Sequence, residues 1–131
     1  MSAPEVHLRL NGRRVLIVDD DPDIRTSMDL AFRGEGAATT TAADGNAAIH
    51  AALAERPDLV ILDMMLPARS GFLVLEKLRE LAAPPPVIMV TANQGRRHMA
   101  YAQTLGVSAY LVKPVALHRL IETAIGLLHE A

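Results

Sequence analysis

Residues 15–25 read Val-Leu-Ile-Val-Asp-Asp-Asp-Pro-Asp-Ile-Arg. Four consecutive apolar residues, three of them β-branched, do not alternate with polar ones. That is the signature of a strand covered on both faces rather than on one. The run stops at three carboxylates. Asp21 can accept hydrogen bonds from the first free amides of a helix, and Pro22 suits the first helical position. Ile24, Met28, Ala31 and Phe32 then fall on one helical face, and Gly34 and Gly36 punctuate the end. One strand, an acidic edge and one helix are thus legible in about twenty residues.

The same unit recurs along the chain. Ala38 to Ala42 is short and Thr-rich, which reads as an edge strand; Asp44-Gly45 leads into an Ala-rich helix through Leu53, ended by Pro57. Leu59-Val60-Ile61-Leu62 is a second continuous apolar run and stops at Asp63. Gly71 precedes a helix through about Leu81, which Pro84-Pro85-Pro86 cannot continue. Val87-Ile88-Met89-Val90 stops at Thr91, and a weaker helix is predicted over 96–105. Ala109 to Val112 stops at Lys113, and Leu117, Leu120, Ile121, Ala124, Ile125 and Leu128 repeat at helical spacing. Five βα units predict an α/β fold: a parallel sheet, helices on both faces, right-handed crossovers.

Composition narrows the function classes. Half of the 131 residues are hydrophobic, enough for one packed core, and only 3% are aromatic, so that core is aliphatic. A net charge of −2 gives neither a basic face for nucleic acid nor an acidic tail. The absence of cysteine removes disulfides, thiolate metal sites and cysteine nucleophiles. No apolar run spans a bilayer and no secretory signal is read at the N-terminus, so the expected setting is the cytoplasm. His7, His50, His98, His118 and His129 are not paired at ligand spacing and are expected on the surface. Residues 1–12 are expected to be a flexible tail before a domain over 13–131. The alternation of Val6, Leu8 and Leu10 before Asn11-Gly12 leaves an extra strand at a partner's edge as the alternative.

In open parallel sheets, sites form outside the carboxyl ends of the strands. Asp19 and Asp20, Asp63, Thr91 and Lys113 each end a different strand, so three carboxylates, a hydroxyl and an ammonium converge at one edge. Clustered carboxylates repel and raise one another's pKa, a penalty that a divalent cation removes. Hard oxygen ligands suit Mg²⁺, which keeps waters and also takes phosphate oxygens. A carboxylate can then act as nucleophile toward phosphorus, with Mg²⁺, Lys113 and Thr91 neutralising charge and donating a hydrogen bond.

The stretches VLIVDDDPDIR, VILDMMLPARSG, VIMVTA and YLVKP resemble the receiver domain of two-component response regulators, chemotaxis regulators included, from about Arg14 to Leu128. The resemblance implies a three-layer, flavodoxin-like doubly wound (βα)5 fold with strand order 2-1-3-4-5. It makes Asp63 the phosphoacceptor, and Asp19 and Asp20 the acidic pair, with Asp20 the direct Mg²⁺ ligand and Asp19 acting partly through water. The Met65 backbone carbonyl becomes a further ligand, Thr91 the switch hydroxyl, Tyr110 the rotating aromatic and Lys113 the phosphoryl-contacting ammonium before a cis Pro114. Met65 and Asn93, each two residues past a site residue, are expected to tune loss of the phosphoryl group.

The implied function is a Mg²⁺-dependent phosphorylation switch in a phosphorelay, not an enzyme. It would be served by a sensor histidine kinase or phosphotransfer protein and read by a downstream protein at the face of the fourth helix, fifth strand and fifth helix. Direct contact with nucleic acid or membrane is not expected. Two rivals stand beside it. An aspartyl phosphohydrolase needs a second Asp two residues after the nucleophile, where this chain has Met65. A receiver-like module that only binds would not need all five site residues. A dinucleotide fold lacks its glycine-rich loop after the first strand.

Overall fold

The fold was derived from a computed structural model that describes residues 8–92 and 95–129. Five strands form one sheet: β1 (Arg14–Val18), β2 (Ala38–Ala42), β3 (Leu59–Leu62), β4 (Val87–Thr91) and β5 (Ala109–Val112). All pairs are parallel, and the order is β2-β1-β3-β4-β5, as the resemblance implied. The helices are α1 (Pro22–Gly34), α2 (Gly45–Glu55), α3 (Gly71–Arg79), α4 (Arg96–Thr104) and α5 (Leu117–His129).

The unbroken apolar runs are explained by two half-cores, one on each face of the sheet. Because side chains alternate across a strand, Val15, Ile17, Leu59, Ile61, Ile88 and Val90 meet Met28 and Phe32 of α1 and Leu120, Ile121, Ala124 and Leu128 of α5. Their neighbours Leu16, Val18, Val60, Leu62, Val87 and Met89 meet Ala48 and Ala52 of α2, Val74, Leu75 and Leu78 of α3, and Ala102 of α4. Small residues on α2 let that helix lie close to the sheet.

Local chemistry sets the helix starts. The Asp21 side chain accepts from the amides of Asp23 and Ile24, so it is the α1 cap rather than part of the acidic cluster. Asp44 caps α2 and Ser70 caps α3 in the same way. The third helix ends at Arg79 rather than near Leu81. Glu80 and Leu81 donate to the carbonyls of Lys77 and Leu78, a tightened last turn that the three prolines then close off. By contrast, α4 follows Gly95, which supplies no side-chain cap, and Ala102 is its one buried residue.

From residue 8 the N-terminal segment packs against the domain. Leu10 is wholly buried in the half-core of α1 and α5. Its amide donates to the Glu35 carbonyl at 2.9 Å, the Gly12 amide donates to the Gly36 carbonyl at 3.2 Å, and the Arg9 guanidinium donates to the carboxylates of Glu35 and Glu122. Gly36, at φ +89°, is what lets the segment pass: a Cβ there would sit 3.0 Å from the Asn11 Cα and the Leu8 Cβ. Residues 9–12 form a turn against the end of α1, and Arg9 reaches Glu122 of α5. Residues 1–7 lie outside the described part.

Leu10→Ala is expected to lower the unfolding free energy by about 2–5 kcal/mol, the range for a large-to-small change in a packed core. Urea denaturation measures it, and a loss under about 1 kcal/mol would mean that the segment is not part of the core.

Candidate functional site

The sheet brings the strand ends together through its own hydrogen bonds. The Asp19 amide donates to the Ala42 carbonyl (3.1 Å), the Asp63 amide to the Val18 carbonyl (3.0 Å) and the Lys113 amide to the Thr91 carbonyl (2.9 Å). Asp19, Asp63, Thr91 and Lys113 are therefore fixed at one edge by backbone pairing before any side chain acts. Asp19 and Asp63 are 1% and 5% exposed and Thr91 is fully buried, whereas Asp20 is exposed.

Lys113 stands between the two buried carboxylates. Its Nζ lies 2.8 Å from Asp19 Oδ2 and 3.0 Å from Asp63 Oδ2. The other oxygens are held locally: Asp19 Oδ1 accepts from the Asp21 amide at 2.9 Å, and Asp63 Oδ1 from the Met65 amide at 3.1 Å. The Lys113 bond to Asp63 is well directed, but Asp19 Oδ2 receives no aligned hydrogen bond despite its short distance to the ammonium. One ammonium thus serves two buried carboxylates and satisfies one of them in full.

The titration behaviour follows. Burial pushes the Asp63 carboxyl above the usual aspartate range, only partly offset by the bonds from Lys113 and the Met65 amide, and the Asp19 charge pushes the same way as burial. Burial works against the Lys113 ammonium, but its close pairing with the Asp19 and Asp63 carboxylates outweighs that and holds its pKa above the ordinary lysine value. The charge is under-neutralised: three carboxylates of Asp19, Asp20 and Asp63 face one ammonium. One oxygen from each of the three lies within 4.8 Å of the others. An oxygen-only donor set, negative charge left over and a buried oxygen without a directed donor together fit a hard divalent cation such as Mg²⁺.

The remaining predicted residues fall as follows. Met65 is 63% exposed beside Asp63, while Met64 is buried and Leu66 packs partly on the core. Tyr110 is half-buried on β5 opposite Met89, and burial raises its phenol pKa. Lys113-Pro114 is cis. Asn93 lies outside the described residues. The described histidines, His50, His98, His118 and His129, are all exposed. The sequence reading missed Arg25, whose guanidinium donates to the Asp19 carbonyl at 2.8 Å and so braces the acidic loop. Its only sequence signal is that it sits one turn into a helix capped by Asp21.

Removing one of the two carboxylates that share Lys113 has a predictable sign. Burial disfavours the ionised form of Asp63, so at neutral pH its charge costs folding free energy. In metal-free buffer at pH 7, Asp63→Asn is expected to unfold at a higher temperature than the parent. Adding Mg²⁺ should raise the parent's melting temperature and move the variant's less. A variant less stable than the parent without metal would contradict this electrostatic reading.

Comparison with known proteins agrees with the geometry. Residues 15–125 match the family described as the response regulator receiver domain. The probable transcriptional regulatory protein TcrX of Mycobacterium tuberculosis is 41% identical over 107 residues, covering 82% of this chain and 46% of TcrX. A CheY-like receiver domain protein from Methanospirillum hungatei superposes with a TM-score of 0.88 at 31% identity, covering 92% of this chain and 96% of that one. The CheX–CheY–BeF3–Mg complex from Borrelia burgdorferi gives 0.83 at 26% identity, covering 88% and 89%. The chain spans less than half the length of the first curated relatives it matches. No described helix is long and apolar enough to cross a membrane. The chain belongs to the response regulator receiver domain family of two-component signalling.

Proposed function

We propose that Asp63 accepts a phosphoryl group and that the change of charge at this buried edge switches the surface of α4, β5 and α5. The observation that carries the reading is the Lys113 ammonium shared between buried Asp19 and Asp63. Asp63 Oδ1 is held by the Met65 amide and Oδ2 faces Lys113, so the carboxylate is oriented and its charge is steadied. A histidine kinase or phosphotransfer protein would present a phosphohistidine. The bond from nitrogen to phosphorus breaks as an Asp63 oxygen bonds to phosphorus, and the imidazole leaves. When bound by Asp19, Asp20, Asp63 and the Met65 carbonyl, Mg²⁺ would neutralise the carboxylates and the phosphoryl oxygens. The Borrelia relative is itself a complex with BeF3 and Mg, which supports the assignment of the ion.

Lys113 would then turn from Asp63 to a phosphoryl oxygen, and the Thr91 hydroxyl would donate to another. An acyl phosphate brings roughly −1.5 to −2 charge, by analogy with phosphorylated hydroxyls. The conformational response is a population shift between two states, with Tyr110 following Thr91. The weakness of α4 supports its place in the responding surface. It has one buried residue and no side-chain cap, and Arg96, Arg97 and His98 stand at its N-terminal end, where positive charge is unfavourable. Its ties to α3 are the Tyr101 hydroxyl on the Glu76 carboxylate and the rings of His98 and Tyr101 on Phe72. A downstream protein reading this face, in the cytoplasm, completes the proposal.

Incubation with acetyl phosphate and Mg²⁺, followed by intact-mass measurement, is expected to show one phosphoryl addition that requires the metal and is absent in Asp63→Asn. No addition, or an equal one in the variant, would overturn the reading. Met65 is apolar and offers no hydrogen bond to orient an attacking water. Met65→Asn is therefore expected to shorten the lifetime of the phosphorylated form severalfold, followed by the decay of the same mass peak. An unchanged lifetime would remove Met65 from the tuning role.

A further inference from the structure

The loop between β3 and α3, residues 63–70, carries Asp63 and Met65, and its geometry is set partly from outside the site. At its near end, the Gly71 amide donates to the Met64 carbonyl at 2.8 Å. At its far end, the Pro67 carbonyl accepts from the Arg69 amide (2.8 Å) and from the Gly45 amide at the first turn of α2 (3.1 Å). The Arg69 guanidinium donates to the Asn46 side-chain carbonyl at 2.7 Å. Gly45 is buried, and a Cβ there would lie 2.5 Å from both the Arg69 Cβ and the Arg69 carbonyl oxygen. One of those atoms is backbone, so any larger residue at 45 moves the loop itself. Between these anchors Ala68 holds φ +69°, a left-handed conformation that a non-glycine residue keeps only where its surroundings enforce it.

We infer that the first turn of α2 is a latch for the phosphoryl site, with Gly45 as its main positioning residue and Arg69–Asn46 as a secondary tie. The inference rests on the proposed phosphoryl transfer at Asp63. Gly45 touches none of the reacting groups. It acts through the Pro67–Arg69 turn on the backbone that ends at Met65 and Asp63. Alanine at 45 would push that turn off α2 and displace the Met65 amide and carbonyl, and with them the hydrogen bond that orients Asp63 Oδ1, while leaving Asp19, Asp20 and Lys113 at their strand ends. The Arg69–Asn46 bond is exposed to water, so its removal should matter less than the close backbone contact at Gly45.

The test measures the rate of phosphorylation by acetyl phosphate, the Mg²⁺ concentration giving half that rate, and amide hydrogen exchange over residues 64–70. Gly45→Ala is expected to slow phosphorylation about tenfold or more, since small misplacements at a reacting centre are costly. It should also raise the Mg²⁺ requirement and speed exchange in the loop, with a cooperative thermal transition retained. Adding Arg69→Gly, which removes one of the two close contacts, should recover part of the rate. A folded Gly45→Ala protein with parental rate, Mg²⁺ requirement and exchange would overturn the latch. Where Gly45→Ala does not fold cooperatively, Asn46→Ala and Arg69→Ala serve instead, with faster loop exchange and an altered rate expected and parental values for both overturning it. A parent that takes no phosphoryl group would sink the function at Asp63, while the exchange comparison would still decide whether α2 holds the loop.

Discussion

One cation shared by two buried anions organises this molecule. Lys113 can sit 2.8 Å and 3.0 Å from Asp19 and Asp63 only because β1, β3 and β5 end at the same edge of one sheet. The sheet can be that regular only because apolar side chains fill both of its faces. Burial then does the chemical work: in water these charges would be screened and nearly indifferent to one another, whereas at the sheet edge an added charge changes every partner. The arrangement is short of positive charge. That shortfall favours a divalent cation and makes the edge sensitive to any added charge.

Most of the fold was legible because its signals are local. Continuous apolar runs marked strands covered on both faces, and each strand with a reactive edge stopped at a polar residue. Asp21 was recognisable as a cap because Pro22 follows it, and the structure shows its carboxylate on the amides of Asp23 and Ile24. Strand order came from family resemblance, since pairing between β1 and β3 is not written in either segment alone. That Asp19, Asp20, Asp63, Thr91 and Lys113 stand at the ends of neighbouring strands was legible from the sequence.

What the sequence hid depends on distant contacts. Leu10 looked like part of an alternating tail. Its burial requires the opening left by Gly36 at the end of α1 and the carboxylates of Glu35 and Glu122 that hold Arg9. The contact of Gly45 with Arg69 joins residues far apart in the chain, and the Asp44-Gly45 pair by itself reads only as a turn. The different exposure of Asp19 and Asp20 was equally invisible, because both lie past the last residue of β1 and only the surrounding fold decides which of them is covered. The site thus joins strand ends fixed by backbone pairing to a loop whose geometry is set by contacts from α2.

The central claim is that Asp63 is the residue modified. Borohydride reduction of the phosphorylated protein, followed by peptide mapping, tests this most directly, because an aspartyl acyl phosphate is reduced to homoserine. The account expects homoserine at position 63, dependent on Mg²⁺ during phosphorylation. Reduction products at Asp19 or Asp20 instead, or none at position 63 in protein that carries the added mass, would contradict it.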